Sequence, residues 1–318
     1  MNALVIGPGR WGTFIAWYLD TIGIDVTLCG RESSDKLKAL MRDRKNSILT
    51  LGENVKITTS LAEIENAELV VISIASQSLR ALLGSLAKYD LKGKKLVLCM
   101  KGIEIESGKR LTEIVTECLG EKTPVAVWIG PGHVEEFTRG RPNCMVIDSR
   151  NDELKHELVD LLQSNLIRFY YGTDLIGNEI GAAAKNVIGI AAGVLDGLGL
   201  SSLKGALMAR APREISRLIE ALGGSGVSAY GLCHLGDYEA TLFSEHSHNR
   251  KFGEMLITGE KPDFLAEGYY TVKALVTLGE RYNVDLPICR AVYNVLYNNS
   301  SPTEEMSSLF SRSLKYEF

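Results

Sequence analysis

From residue 2 to about 171, short apolar runs alternate with segments of helical spacing. The runs are ALVIG, IDVTLC at 24–29, ELVVISI at 68–74, KLVLC at 95–99, PVAVWI at 124–129, CMVID at 144–148 and LIRFYY at 166–171. They are apolar throughout rather than alternating, the pattern of strands covered on both faces. Such an order predicts a doubly wound, mostly parallel sheet. After Gly172 the β-branched runs stop, and helical spacing predicts helices over 175–199, 204–222, 267–282 and 287–298. The expected fold class is therefore α/β, with a sheet domain over 1–172 followed by an all-α domain over 173–318. The polar stretch from Asn298 to Phe318 reads equally as a surface helix or as frayed chain.

The first of the later helices contains GAAAKNVIGIAAGVL, Gly181 to Leu195, in which a single lysine interrupts an almost wholly apolar run. A helix that is apolar nearly all round is an interior helix. Burying an ammonium group is costly unless it is paired or gives up its proton. At about 100° per residue, Asn178, Ala182, Lys185, Gly189, Ala192, Gly193 and Asp196 share one stripe, with Ile180, Val187, Val194 and Leu198 opposite. The small residues of that stripe predict space beside Lys185, the shape of a ligand crevice. The bland alternative is a lysine that snorkels to the surface. Lys185, Asn186 and Asp196 are expected to break the run short of a membrane span.

Between the first strand and the first helical pattern stands Gly7-Pro8-Gly9-Arg10-Trp11-Gly12. Alone, G-x-G-x-x-G is a weak signal; at a strand-to-helix turn it is the dinucleotide fingerprint, which makes the sheet domain Rossmann-type. Gly7 permits the tight turn, Gly9 lets the backbone approach a pyrophosphate, and Gly12 lets the helix pack closely. The helix N-terminus supplies N–H groups and a positive dipole end. The second strand ends Cys29-Gly30-Arg31-Glu32. Arg31 is placed to meet a 2′-phosphate and Glu32 leaves the free ribose hydroxyl open, so NADPH is the expected cofactor and NADH a possible one.

Composition narrows the class further. The 318 residues are 45% hydrophobic and 23% charged with a net charge of −4, enough for a sizeable core and against a nucleic-acid binder, which carries a basic surplus. Six scattered cysteines without C-x-x-C or zinc spacing read as reduced thiols in a cytoplasmic protein. MNALVIG runs straight into a strand without the pattern of a signal peptide.

Lys185-Asn186 within AAAKNVIGIAAGVLDGLGL, Cys99-Met100-Lys101-Gly102-Ile103-Glu104, and GLCHLGDYEAT at 231–241 occur in this order. Together they resemble the motifs of the NAD(P)-dependent glycerol-3-phosphate dehydrogenases, and the resemblance runs from GPGRWG to Leu265-Ala266-Glu267-Gly268. It implies reversible reduction of dihydroxyacetone phosphate to sn-glycerol 3-phosphate, a step of glycerophospholipid metabolism. It further implies a phosphorylated small-molecule substrate and a homodimer. Lys185 would protonate the incipient alkoxide, and serve as base in reverse. Asp237 would orient that lysine, and Lys101 would bind substrate. The same resemblance places Arg10, Trp11, Arg31, Lys101, Val134, Leu265 and Glu267 on the cofactor, and Gly130, Gly132, Ser247, His248 and Asn249 on the substrate.

Two motifs depart from the family's pattern. Its Gly-Pro-Ser/Thr-Phe-Ala turn is here Gly130-Pro131-Gly132-His133-Val134, and its Ser-Arg-Asn-Arg is Ser247-His248-Asn249-Arg250. Arginine holds phosphate with a permanent bidentate charge, whereas histidine is charged only near or below about pH 6.5. The expectation is a grip that weakens as pH rises, with Arg250 compensating, or else a related polyol phosphate or hydroxy acid as substrate. A non-catalytic NADPH sensor is a third reading, disfavoured by the joint presence of Lys101, Lys185 and Asp237. His133, His234, His246 and His248 also suggest a metal, but the lysine chemistry needs none and none is expected.

Overall fold

A computed structural model describes residues 1–264, 266–314 and 316. Leu265, taken above as a cofactor contact, lies outside the described residues. The chain divides into two compact units, residues 1–101 with 109–175 and residues 102–108 with 176–318.

The first unit is an eight-stranded sheet: β1 (Asn2–Ile6), β2 (Asp25–Cys29), β3 (Lys56–Thr58), β4 (Leu69–Ile72), β5 (Lys95–Leu98), β6 (Val125–Ile129), β7 (Asn143–Asp148) and β8 (Ile167–Tyr171). The order is β3-β2-β1-β4-β5-β6-β7-β8. Every neighbouring pair is parallel except β6 with β7. The doubly wound, mostly parallel sheet is thus as expected. Strand β3 was not anticipated, because its three residues, KIT, form a half-exposed edge with no apolar run. Six helices connect the strands: α1 (Arg10–Thr21), α2 (Asp35–Asp43), α3 (Leu79–Leu86), α4 (Leu111–Leu119), α5 (Val134–Thr138) and α6 (Asp152–Leu162). The strand order reverses between β1 and β4, and ligands of such sheets bind beyond the strand ends at that point.

The second unit is helical, with α7 (Leu175–Gly197), α8 (Lys204–Ala221), α9 (His248–Thr258), α10 (Glu267–Arg281), α11 (Pro287–Tyr297) and α12 (Pro302–Phe310). Four of these match the helical spacing. Helix α9 was not among the predicted helices: the Ser247 hydroxyl accepts from the Arg250 N–H at 3.3 Å, a side-chain cap that starts the helix. Within the tail left open above, Pro302–Phe310 form helix α12, started by Ser301 and Pro302. Residues 102–108, which the sequence pattern did not separate from their surroundings, send the fully buried Ile103 into the helical core beside Ile180, Val187 and Leu275.

Helix α7 is 23 residues long and, contrary to expectation, is long and apolar enough to cross a membrane by length and composition alone. Yet 78% of its most apolar window is buried within the fold, which is the behaviour of a core helix.

Glu214 of α8 does a cap's work for another helix. Its buried carboxylate accepts from the backbone N–H groups of Ile288 at 2.8 Å and Cys289 at 2.9 Å, in the first turn of α11. Loss of hydration outweighs these two bonds and pushes its pKa up to about 7. An acid whose folded pKa is raised adds stability that is complete below its unfolded value and disappears as pH rises through the folded one. Stability should therefore fall by about 3 kcal/mol between roughly pH 4.5 and 8 on this group's account. Denaturant titrations of Glu214→Gln across that range are expected to lack this component of the slope. An unchanged slope would remove the assignment.

Candidate active site

In the first unit the fingerprint glycines differ in what surrounds them. Gly7 has φ +117°, and a Cβ there would lie 2.1 Å from the Ser73 carbonyl oxygen. At Gly12 a Cβ would lie 1.9 Å from the Gly7 oxygen. Both positions exclude any side chain. Gly9 has nothing within 4 Å of a built Cβ, so its backbone faces open space at the N-terminus of α1. Among the described residues no side chain caps that terminus, and its first turn holds no acid. This arrangement suits a pyrophosphate, which needs close backbone approach and N–H donors. Arg31 and Glu32 are both exposed just beyond β2.

Arg10 Nη2 pairs with both carboxylate oxygens of Glu135 in α5, a partner the sequence did not reveal. Trp11 packs against Phe14, with ring centroids 5.0 Å apart, and against Phe137 at 6.4 Å. Val134 is buried in the same cluster. Lys101 donates from Nζ to the Gly130 carbonyl at 2.8 Å, which joins two of the residues assigned to substrate. The departure at position 132 has a steric reason: a Cβ on Gly132 would lie 2.7 Å from the Trp11 ring and 3.1 Å from that of Phe137. The hydroxyl residue common in the family would require these rings to shift.

In the second unit Lys185 is only 9% exposed, so it does not snorkel. Its Nζ lies 3.0 Å from Oδ2 of Asp237, itself 1% exposed, and donates to Thr241 Oγ1 at 2.8 Å. The Thr241 hydroxyl passes its own hydrogen to the Asp237 carbonyl at 2.7 Å. Asp237 ends the 3-10 turn Leu235–Asp237, and Thr241 sits on the π-helical turn Glu239–Phe243. Thr241 was overlooked, although its place four residues after Asp237 puts both on one side of a helical turn.

The small-residue stripe was expected to leave space, and at its two glycines it does not. The stripe glycines of α7 are contacts rather than a crevice: a Cβ on Gly189 would meet Thr241 Cγ2 at 2.8 Å, and one on Gly193 would meet the Arg250 carbonyl at 1.8 Å. Reciprocally, Gly253 of α9 has the Ile190 carbonyl 2.1 Å from a built Cβ. Small residues on both helices let the backbones touch.

Asn249 links three elements. Its Nδ2 donates to Asn186 Oδ1 at 3.1 Å, and its Oδ1 accepts from the Gly268 N–H at 2.9 Å, next to Glu267 at the start of α10. His248 is exposed in the first turn of α9, its ring 4.7 Å from that of Phe264. Arg250, expected to compensate for it, is engaged elsewhere, paired with Asp196 at 2.6 Å. Asp196 also binds Lys204 at 2.6 Å. A cavity of about 730 Å³ in this unit is lined by aliphatic side chains such as Val194, Leu207 and Met306 together with charged ones such as Arg213 and Glu214, and by none of the residues assigned to cofactor or substrate.

The histidines do not gather. His234 Nδ1 bonds the Gly181 carbonyl at 2.8 Å and its Nε2 the Tyr238 hydroxyl at 2.6 Å. Among the described residues no group of three or more His, Cys, Asp or Glu side chains is placed to hold a metal ion.

Two family profiles cover most of the chain. The profile of the NAD-dependent glycerol-3-phosphate dehydrogenase N-terminus matches residues 2–155, and that of the C-terminus matches 174–307. The chain belongs to this family. The glycerol-3-phosphate dehydrogenase [NAD(P)+] of Pelodictyon phaeoclathratiforme is 36% identical over 100% of this chain and 99% of its own length. That of Fusobacterium nucleatum is also 36% identical, over 98% and 97%. The crystal structure of glycerol-3-phosphate dehydrogenase from Coxiella burnetii superposes with a TM-score of 0.92 at 26% identity, covering 98% of this chain and 99% of that one. Family membership and the lysine–aspartate pair thus rest on independent grounds, one on whole-chain similarity and one on local geometry.

Proposed function

We propose that the protein catalyses the reversible NAD(P)H-dependent reduction of dihydroxyacetone phosphate to sn-glycerol 3-phosphate. The observation that carries this reading is the buried Lys185 ammonium held by Asp237 and Thr241, in a chain whose relatives bear that enzyme's name over their full length. Gly7, Gly9, Gly12 and the N-terminus of α1 would hold the dinucleotide diphosphate, with Arg10, Trp11, Val134 and Glu267 as further contacts. Arg31 would favour a 2′-phosphate. When bound, the nicotinamide supplies the hydride to the ketone carbon.

Lys185 then gives one Nζ proton to the forming alkoxide and is left as a neutral amine. Thr241 and Asp237 hold that amine in place until solvent returns a proton; in the reverse direction the amine takes the hydroxyl proton. Asp237 also prevents the ammonium from being a buried charge without a counterion. Lys101, Gly130, Gly132, Ser247, His248 and Asn249 would position the substrate. Ser247 and Asn249 act through the frame around α9 as much as by contact, since Ser247 caps that helix and Asn249 ties it to α7 and α10. The protein is also read as a cytoplasmic homodimer, which light scattering of the purified chain would test.

NADPH oxidation followed against a panel of ketone phosphates and keto acids tests the reading. Dihydroxyacetone phosphate is expected to give the highest kcat/KM. A preference for a keto acid would replace this substrate with one of another class, and bound NADPH without turnover would make the protein a sensor.

His248 supplies a second test, because it stands where the family carries arginine and Arg250 is committed to Asp196. An imidazole loses its charge above about pH 6.5. KM for dihydroxyacetone phosphate should therefore rise roughly tenfold from pH 6 to 8.5 in the wild type, a loss on the scale of one charge-assisted hydrogen bond, and stay nearly flat in His248→Arg. Identical profiles would show that His248 does not carry the grip.

A further inference from the structure

His234 and Tyr238 flank Asp237 in sequence, and neither is part of the chemistry described above. Both side chains are fully buried. A carbonyl can only accept, so His234 Nδ1 must carry the hydrogen that reaches the Gly181 oxygen at 2.8 Å. Its Nε2 is then the lone-pair nitrogen and accepts the Tyr238 O–H at 2.6 Å. Both ring nitrogens are used, and one tautomer satisfies both bonds.

The place of the first bond matters. Gly181 lies four residues before Lys185 in α7, so the carbonyl held by His234 is the one that receives the Lys185 backbone N–H in an α-helix. A Cβ on Gly181 would stand 3.0 Å from the His234 Cβ, so glycine lets the imidazole come this close. At its other end His234 is continuous with the turn that carries the carboxylate: its carbonyl accepts from the Asp237 N–H at 3.0 Å. Residues 234, 237, 238 and 241 follow a spacing of i, i+3, i+4 and i+7, and all four side chains are buried.

From this geometry we infer that His234 and Tyr238 are positioning residues: the imidazole ties the turn bearing Asp237 to the turn of α7 bearing Lys185, and the Tyr238 hydroxyl holds the imidazole in the tautomer that makes the tie. The inference rests on the roles proposed above for Lys185 and Asp237. The groups that act on His234 agree with a neutral bracket rather than a proton carrier. Loss of hydration draws its pKa down to about 4, against the Gly181 bond and the Asp237 carboxylate, with Lys185 acting in the same direction as burial. Around Tyr238, burial and the nearby Cys289 and Glu214 keep the phenol protonated.

The test uses the purified full-length chain and the variants His234→Ala, His234→Asn and Tyr238→Phe. Measurements are kcat, KM for each substrate, the pH profile of kcat and Tm. A pair of groups displaced by about 1 Å loses on the order of 10²-fold in rate. His234→Ala is expected to lose about that in kcat per folded molecule, to keep KM for NADPH within about twofold, and to shift the pH profile of kcat. Asparagine places an amide N–H near the position of Nδ1 and is expected to recover most of the rate. Tyr238→Phe should fall between wild type and His234→Ala. Wild-type kcat and pH profile in His234→Ala and Tyr238→Phe would overturn the inference. Should the alanine variant not fold, wild-type kcat and pH profile in Tyr238→Phe alone would overturn it, because that variant removes the hydroxyl that holds Nε2. A wild-type chain that binds NADPH but reduces no panel substrate would instead defeat the functional reading, and this inference with it.

Discussion

Replacing Lys185 with methionine is expected to lower kcat by about 10²–10⁴-fold, the range for losing a positioned general acid, while NADPH still binds. Methionine keeps the apolar stem of lysine as far as Cε and removes the ammonium, with its exchangeable protons, its charge and its bond to Thr241. The cofactor residues proposed above, apart from Glu267, belong to the first unit, so fluorescence titration of NADPH should give a Kd close to that of the wild type. One complication follows from burial. Without the ammonium, the Asp237 carboxylate, 1% exposed, loses an ion-pair partner 3.0 Å away, a loss that costs about 3–5 kcal/mol of stability. Adding Asp237→Asn removes that charge. The double variant is therefore expected to regain much of the lost Tm and none of the lost rate. A single variant that keeps kcat within tenfold of wild type would end the proposal that this amine moves the proton.

Gly193→Ala should be the most damaging single methyl group in the helical unit. Helix propensity alone favours alanine by about 1 kcal/mol. The new Cβ, however, would lie 1.8 Å from the Arg250 carbonyl and 2.8 Å from the Glu254 nitrogen, both backbone atoms of α9. Backbone cannot rotate away, so the two helices must separate. Overpacking of this kind costs about 3 kcal/mol, which exceeds the propensity gain. Because α9 carries Ser247-capped His248, Asn249 and Arg250, kcat/KM should fall along with Tm. Gly84→Ala is the matched control: it lies in α3 with nothing within 4 Å of a built Cβ, and should stabilise by about 0.5–1 kcal/mol. If Gly193→Ala raised Tm as Gly84→Ala does, the close approach of α7 and α9 would be wrong.

These two positions share one stripe of α7, and the sequence could not tell them apart in kind. Lys185 stood out as a costly charge in an apolar helix, and the glycines beside it looked like room for a ligand. What separates the two cases is distance to residues far along the chain: Lys185 meets Thr241 56 residues away, and Gly193 meets Arg250. A periodic pattern says which face an atom is on but not what has been packed against that face. The same limit explains Arg250, a nearby cation by sequence, which the fold commits to Asp196, and Gly132, whose missing side chain makes sense only once Trp11 and Phe137 are seen against it.

Local rules did determine a good deal. Continuous apolar runs separated by helical spacing are enough to specify a two-sided parallel sheet followed by helices, because each run has to be covered on both faces wherever it lies. The glycine turn after β1 was legible too, since φ +117° at Gly7 is a property of one residue's backbone. Tertiary structure alone decided that β3 completes the sheet edge and that Lys185 joins Asp237, Thr241 and His234 in one bonded group. Each of these depends on contacts whose partners are brought together only by closing long loops, and no short window of sequence encodes which of several suitable partners will be met.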